Sequence, residues 1–133
     1  MGYTINRHPL DESIVVGTYY EPFDPIIDSA GAGQYLLDVL NASPEPLYYI
    51  SDMREVTLSF YDLVIGLETA YKTPGSAFAH PNLRTFAIGT DTLIGIGVKV
   101  VNEQTAKFGE INVKFYRNID EALTEIMGRG RKE

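Results

Sequence analysis

The chain has 133 residues, a length suited to one domain with a real core. Its formal net charge of −7 argues against non-specific nucleic-acid binding, which needs a positive surface, and leaves room for a basic partner. There is no cysteine, which excludes disulfides and thiolate chemistry, and no apolar run approaches the ~20 residues that span a bilayer. The opening residues lack an apolar core of signal-peptide length. The expectation is a cytoplasmic soluble domain over residues 1–127 without membrane insertion, followed by a disordered tail at 128–133.

YTINRH, Tyr3 to His8, reads as a first strand. Pro9-Leu10-Asp11-Glu12 supplies turn chemistry, and the β-branched and aromatic run SIVVGTYY, Ser13 to Tyr20, reads as a second strand. So short a connection predicts an antiparallel hairpin. Asp24 is placed to cap a helix whose first position is Pro25. Ile26, Ala30, Gly33, Leu37 and Leu40 recur at steps of four and three and predict its buried stripe. Gly31 and Gly33 each weaken this helix by roughly 1 kcal/mol relative to alanine. Gly33, lying on the stripe, predicts a close approach to a sheet. Asn41 to Pro46 ends the helix.

Leu47 to Ser51 is apolar enough for a strand covered on both faces, and it delivers Asp52 to its carboxyl end. Ser59 and Asp62 have the spacing of a capping box, and Leu58 and Leu63 that of a hydrophobic staple. Phe60, Leu63, Leu67 and Tyr71 form the stripe of this second helix, with Pro74-Gly75 as its stop. A loop carrying Ala79-His80-Pro81-Asn82 leads to a fourth strand, RTFAIG, from Arg84 to Gly89. Thr90 or Asp91 then caps LIGIGVKVVNEQTAKF. Its β-branched residues and two glycines favour a strand. Its length and the Leu93, Ile96, Val100 spacing favour a helix ending at Gly109, which is the assignment adopted.

INVKFY, Ile111 to Tyr116, alternates: Ile111, Val113 and Phe115 face one side, Asn112 and Lys114 the other, as suits an edge strand. Asn118 and Glu121 form an N-x-x-E cap, and Ala122, Leu123, Ile126 and Met127 carry the last helix. The order ββαβαβαβα predicts an α/β fold with a mixed five-stranded sheet. Strands separated by helices pair in parallel through right-handed crossovers, and the opening hairpin adds one antiparallel strand.

With "PLYYISDMREVTLS" as central strand and loop, "RTFAIGT" as fourth strand and "INVKFYRNIDEALTEI" as ending, the chain resembles the STAS-like fold of sulfate-transporter and anti-sigma-factor-antagonist domains. The resemblance covers about Tyr3 to Met127. It implies a cytoplasmic regulatory module that binds other proteins, often without catalysis; some members dimerise, and some are proposed to bind nucleotides or lipids. Phosphorylatable members carry Asp-Ser-Ser-Gly after a Val-Thr-Phe-like stretch. Here "VTL" spans Val56 to Leu58, and Phe60-Tyr61-Asp62-Leu63 takes the motif's place, so its serine is missing and Ser59 falls early.

Asp52 and Ser59 are the residues that invite chemistry. A carboxylate at the end of a parallel strand lies where α/β proteins place ligands. Asp52 is either such a group, a receiver-type phosphoacceptor, or a residue bonding loop amides or Arg54. The receiver mechanism also needs an acidic pair, loosely imitated by Glu21 and Asp24, and a terminal lysine, for which Lys114 is the candidate. Ser59 is a helix cap or a phosphorylation site. His8 and His80 have no metal-binding spacing, no G-x-S-x-G is present, and neither Gly31-Ala32-Gly33 nor Gly95-Ile96-Gly97 completes a phosphate loop.

No catalytic set, cofactor or metal site is therefore expected. Tyr19-Tyr20 and Tyr48-Tyr49 sit on neighbouring strands, where alternation sends one of each pair to each face, into core, an aromatic-lined pocket or an oligomer interface. The leading expectation is a non-enzymatic interaction module, as a homodimer and with a possible protein partner. The alternative is a small-molecule (nucleotide or lipid) binding protein or an enzyme with a site at the strand carboxyl ends, near Glu21, Asp52, Thr90 and Asp91.

Overall fold

A computed structural model describes residues 2–72, 75–103 and 113–130. Strands β1 (Tyr3–His8) and β2 (Asp11–Tyr20) form the opening hairpin. There follow α1 (Ile27–Ala42), β3 (Leu47–Glu55), α2 (Phe60–Lys72), a short 3-10 turn (Ala77–Ala79) and β4 (Leu83–Ile88). Then come α3 (Asp91–Glu103), β5 (Val113–Tyr116) and a final helix α4 (Ile119–Gly130). The fold is α/β, with a five-stranded sheet in the order β1-β2-β3-β4-β5, antiparallel at β1-β2 and parallel elsewhere.

That order decides where the helices go. Each parallel strand is added on the same side of its predecessor, so right-handed crossovers carry α1, α2 and α3 over one face, here called the front. Past the edge strand β5 no crossover is needed, and α4 packs on the back. The front core joins Val15, Tyr19, Leu47 and Tyr49 of the strands to Ala32, Leu36 and Leu40 of α1. The back core joins Ile14, Ile50, Phe86 and Ile88 to Ala122 and Ile126 of α4. Leu63 and Leu67 of α2 meet Val100 of α3 in a third, smaller cluster, linked to the front core through Leu58.

Local signals are realised at the helix starts. The Asp62 amide donates to Ser59 Oγ at 3.1 Å, and the Ser59 amide to the Asp62 carboxylate at 3.4 Å, a reciprocal capping box. At α4 the Glu121 amide donates to Asn118 Oδ1 at 2.9 Å, and the return bond runs between side chains, from Asn118 Nδ2 to Glu121 Oε1 at 3.3 Å. Asp24 Oδ1 accepts from the amides of Ile26 and Ile27, each at 2.8 Å, although the regular helix begins two residues beyond Pro25. Thr90, not Asp91, caps α3: its hydroxyl accepts from the Leu93 amide at 3.3 Å.

Several expectations are corrected. The buried row of α1 is Asp28, Ala32, Leu36 and Leu40, not the row begun by Ile26, which is 52% exposed. Asp28 sets this rotation by accepting from the amides of Gly2 at 3.2 Å and Asp24 at 2.9 Å. Gly33 lies against the Phe78 ring rather than a strand; it is Gly31 that a β1 side chain, Tyr3, approaches. On α2, Leu63 and Leu67 are buried, but Phe60 is exposed, and Tyr71 lies outside the described side chains.

Strand β3 continues to Glu55, because β2 runs alongside it and pairs Tyr20 with Glu55; Asp52 is thus inside the strand, opposite Ile88, where β4 ends. Lys114 does not face solvent alone: α4 covers that side, and Nζ meets Glu125 at 3.2 Å. Helix α4 also takes in 128–130, part of the segment expected as tail. Pro74, the stop at Gly109, Ile111, Asn112 and 131–133 lie outside the described residues.

Candidate functional site

The residues singled out in the sequence gather at the carboxyl ends of the parallel strands, but each is engaged separately. Glu21, just after β2, accepts from the Phe23 amide with one oxygen and from the Thr57 amide with the other, both at 3.1 Å. It thereby ties the loop after β2 to the loop after β3. Asp52 is buried on the back face and saturated by one neighbour. Arg54 Nε and Nη2 each reach a different carboxylate oxygen at 2.9 Å, and the Arg54 amide adds a third bond at 3.2 Å. Such a fork is the strongest arrangement available to a carboxylate and a guanidinium. The fork also raises the pKa of Arg54, chiefly through its hydrogen bond to Asp52.

Asp91 meets Arg117 at 2.7 Å across an exposed surface, a geometry that contributes little to stability. No hydrogen bond or ion pair joins any two of Glu21, Asp52, Thr90 and Asp91. Among the described residues, no group of three or more histidine or acidic side chains is placed to hold a metal ion. His8 and His80 are turn residues whose Nδ1 atoms accept from the amides of Leu10 and Asn82. Both Gly-x-Gly segments lie inside helices α1 and α3. No described helix is long and apolar enough to cross a membrane.

Comparison with protein-family models, with curated proteins and with solved structures returns no match.

Three features lie apart from those candidate residues, the first of them formed by one member of each tyrosine pair noted in the sequence. The first is on the front face, where Tyr19 and Tyr49 project side by side and their hydroxyls meet at 2.5 Å. Tyr49 is 1% and Tyr19 4% exposed. Burial pushes the Tyr19 phenol up to about 12 and the Tyr49 phenol well above 10, so both stay protonated at neutral pH and serve as a hydrogen-bonded core pair, not as bases. Tyr3 and Phe23 extend the aromatic cluster, with ring centroids 5.9 and 5.2 Å from Tyr19.

The second feature is a pair of adjoining cavities. An inner one of about 100 Å³ lies between α2 and the sheet, over Ser51, Thr85 and Ala87. An outer one of about 280 Å³ lies between α1, α2 and the 3-10 turn, beside Gln34, Thr69 and Ser76. Ser29, Ala70 and Phe78 line both. A separate cavity of about 310 Å³ sits at the opposite strand ends, near Arg7, Glu12 and Glu45. None of Glu21, Asp52, Thr90 or Asp91 lines any of these three.

The third is exposed apolar surface at the starts of α1 and α2, two helices that pack together. Ile27 projects from the first and Phe60 and Tyr61 from the second, with Phe60 43% and Tyr61 70% exposed. Ser59 and Asp62, on either side of these aromatics, spend their side chains on the cap. Exposed aromatics next to a cap could have been found in the sequence by asking which residues of the stripe the box itself pushes outward.

Proposed function

We propose that the chain is a cytoplasmic, non-enzymatic protein-interaction module of STAS-like type. The observation that carries this reading is the exposed Phe60-Tyr61 pair at the start of α2, the place the phosphorylation motif holds in switchable members of the family it resembles. Large aromatics held in water on a rigid, capped helix end are the residues that interfaces use as anchors. Asp62 belongs to the cap beside them, Lys99 Nζ lies 6.0 Å from the Phe60 ring centroid, and the chain as a whole carries a net charge of −7. The fitting partner therefore presents an apolar groove with a basic rim. With Ser59 committed to the cap, docking is constitutive rather than switched by phosphate.

The homodimer belongs to the same proposal. Among the described residues strand β1 is an edge with no partner strand on its outer side, which offers an antiparallel two-fold pairing. Sedimentation equilibrium across a hundredfold concentration range tests it: a monomer throughout removes the dimer. For the docking role, the immobilised chain and its Phe60→Ala/Tyr61→Ala variant are exposed to extract of the source cells. Proteins retained by the first and lost by the second support the reading; identical sets, with the variant folded, refute it.

A further inference from the structure

We propose that the two adjoining cavities form one binding site for a small neutral amphiphile, its apolar body in the inner chamber and a hydroxyl or amide head in the outer one. The inner chamber is made by residue choice. On the front face the sheet carries Leu47, Tyr49 and Leu83 under α1, but Ser51, Thr85 and Ala87 under α2. Helix α2 presents Gly66 to the same space. Small side chains on both sides leave α2 with its own apolar cluster, joined to the main core through Leu58. Interiors ordinarily close such gaps, so a gap lined from both sides by small residues is available to a ligand.

Size and charge define the occupant. An apolar cavity of about 150 Å³ holds benzene, so the inner chamber of about 100 Å³ suits an alkyl chain or ring of about five carbons. In the outer chamber of about 280 Å³ the Ser76 hydroxyl is spent on the Ala70 carbonyl and the Phe78 amide and Gln34 Nε2 on Asp38, which leaves the uncharged Gln34 Oε1 to accept from a hydroxyl or amide head. Among the described residues no lysine, arginine or histidine lines either chamber, and the inner one carries the acidic Asp62. An anionic head is disfavoured on both counts. Phe78, Ser29 and Ala70 line both chambers, so the two adjoin through shared walls. This site is independent of the exposed Phe60-Tyr61 surface.

The test is an amide-resolved NMR titration of the full chain with n-hexanol, cyclopentanol and hexanoate. Saturable shifts are expected at Ser51, Gly66, Thr85 and Ala87 and also at Gln34 and Thr69, with hexanoate at least tenfold weaker than hexanol. Gly66→Leu fills the inner chamber; a Cβ there meets no heavy atom closer than 3.9 Å, so the helix accommodates it. It should weaken the alcohols at least tenfold, and Ala87→Val, which fills the chamber from the sheet, should do the same. The proposal is overturned if neither alcohol gives saturable shifts. It is equally overturned if the shifts are confined to the outer chamber, if hexanoate binds as well as hexanol, or if a folded filling variant binds like the parent.

Discussion

The buried phenol pair gives the sharpest quantitative prediction. Tyr19 and Tyr49 satisfy each other at 2.5 Å, almost entirely out of water, with Ser51 as a polar neighbour. Replacing either by phenylalanine removes one neutral hydrogen bond and leaves the other phenol buried without its partner, so each single change should cost about 1 to 3 kcal/mol. The double change removes both phenols and leaves neither orphaned. It should cost about 0.5 to 1 kcal/mol less than the sum of the two singles, the signature of direct coupling. At 133 residues, 1 kcal/mol corresponds to about 3.5 °C in Tm. Urea unfolding of the four proteins closes the cycle.

A pH arm follows from the same geometry. Both phenols have folded pKa values above the ordinary 10, Tyr19 at about 12 and Tyr49 well above 10. The unfolded chain therefore loses these protons first. Their contribution is fully present below about pH 10 and is lost as pH rises through 12, a slope the double phenylalanine variant should lack. Strict additivity in the cycle, or an alkaline slope that the double variant keeps, would refute the reasoning.

Other predictions concern single contacts. Arg54→Leu leaves the buried Asp52 carboxylate with one amide in place of three bonds and should lower unfolding free energy by about 2 kcal/mol in urea titration. Ser59→Ala removes the cap of α2 and should cost about 1 kcal/mol by the same measurement, with the far-UV spectrum unchanged. Gly97→Ala drives a methyl into the Phe115 ring and should cost about 1 to 3 kcal/mol, partly restored by Phe115→Leu. Breaking the exposed Asp91–Arg117 pair with Arg117→Ala should change stability by less than about 1 kcal/mol at physiological salt.

What could be read from the sequence was local. The boxes at Ser59–Asp62 and Asn118–Glu121 close within one turn, so spacing alone reveals them. The order of strands and helices follows from periodicity, and the single-sided placement of α1 to α3 from crossover handedness. The row of α1 was not legible, because its rotation is fixed by Asp28, whose partner Gly2 is 26 residues away. Asp52 was placed at a strand end because the run loses its apolar character at Ser51; the strand continues because β2 pairs alongside it as far as Glu55. The inner cavity needs Ser51, Gly66, Thr85 and Ala87 from three elements to meet, which no linear pattern records. A faint signal existed: small residues at alternate positions of otherwise large, apolar strands.

The stretch from Asp52 to Tyr61 holds the central claim, that its acid and its serine maintain the fold while its aromatics bind. The direct test compares partner capture by Ser59→Ala with capture by Phe60→Ala/Tyr61→Ala, both confirmed folded. The account predicts retained capture for the first and loss for the second. Loss with Ser59→Ala and retention without the two aromatic rings would contradict it.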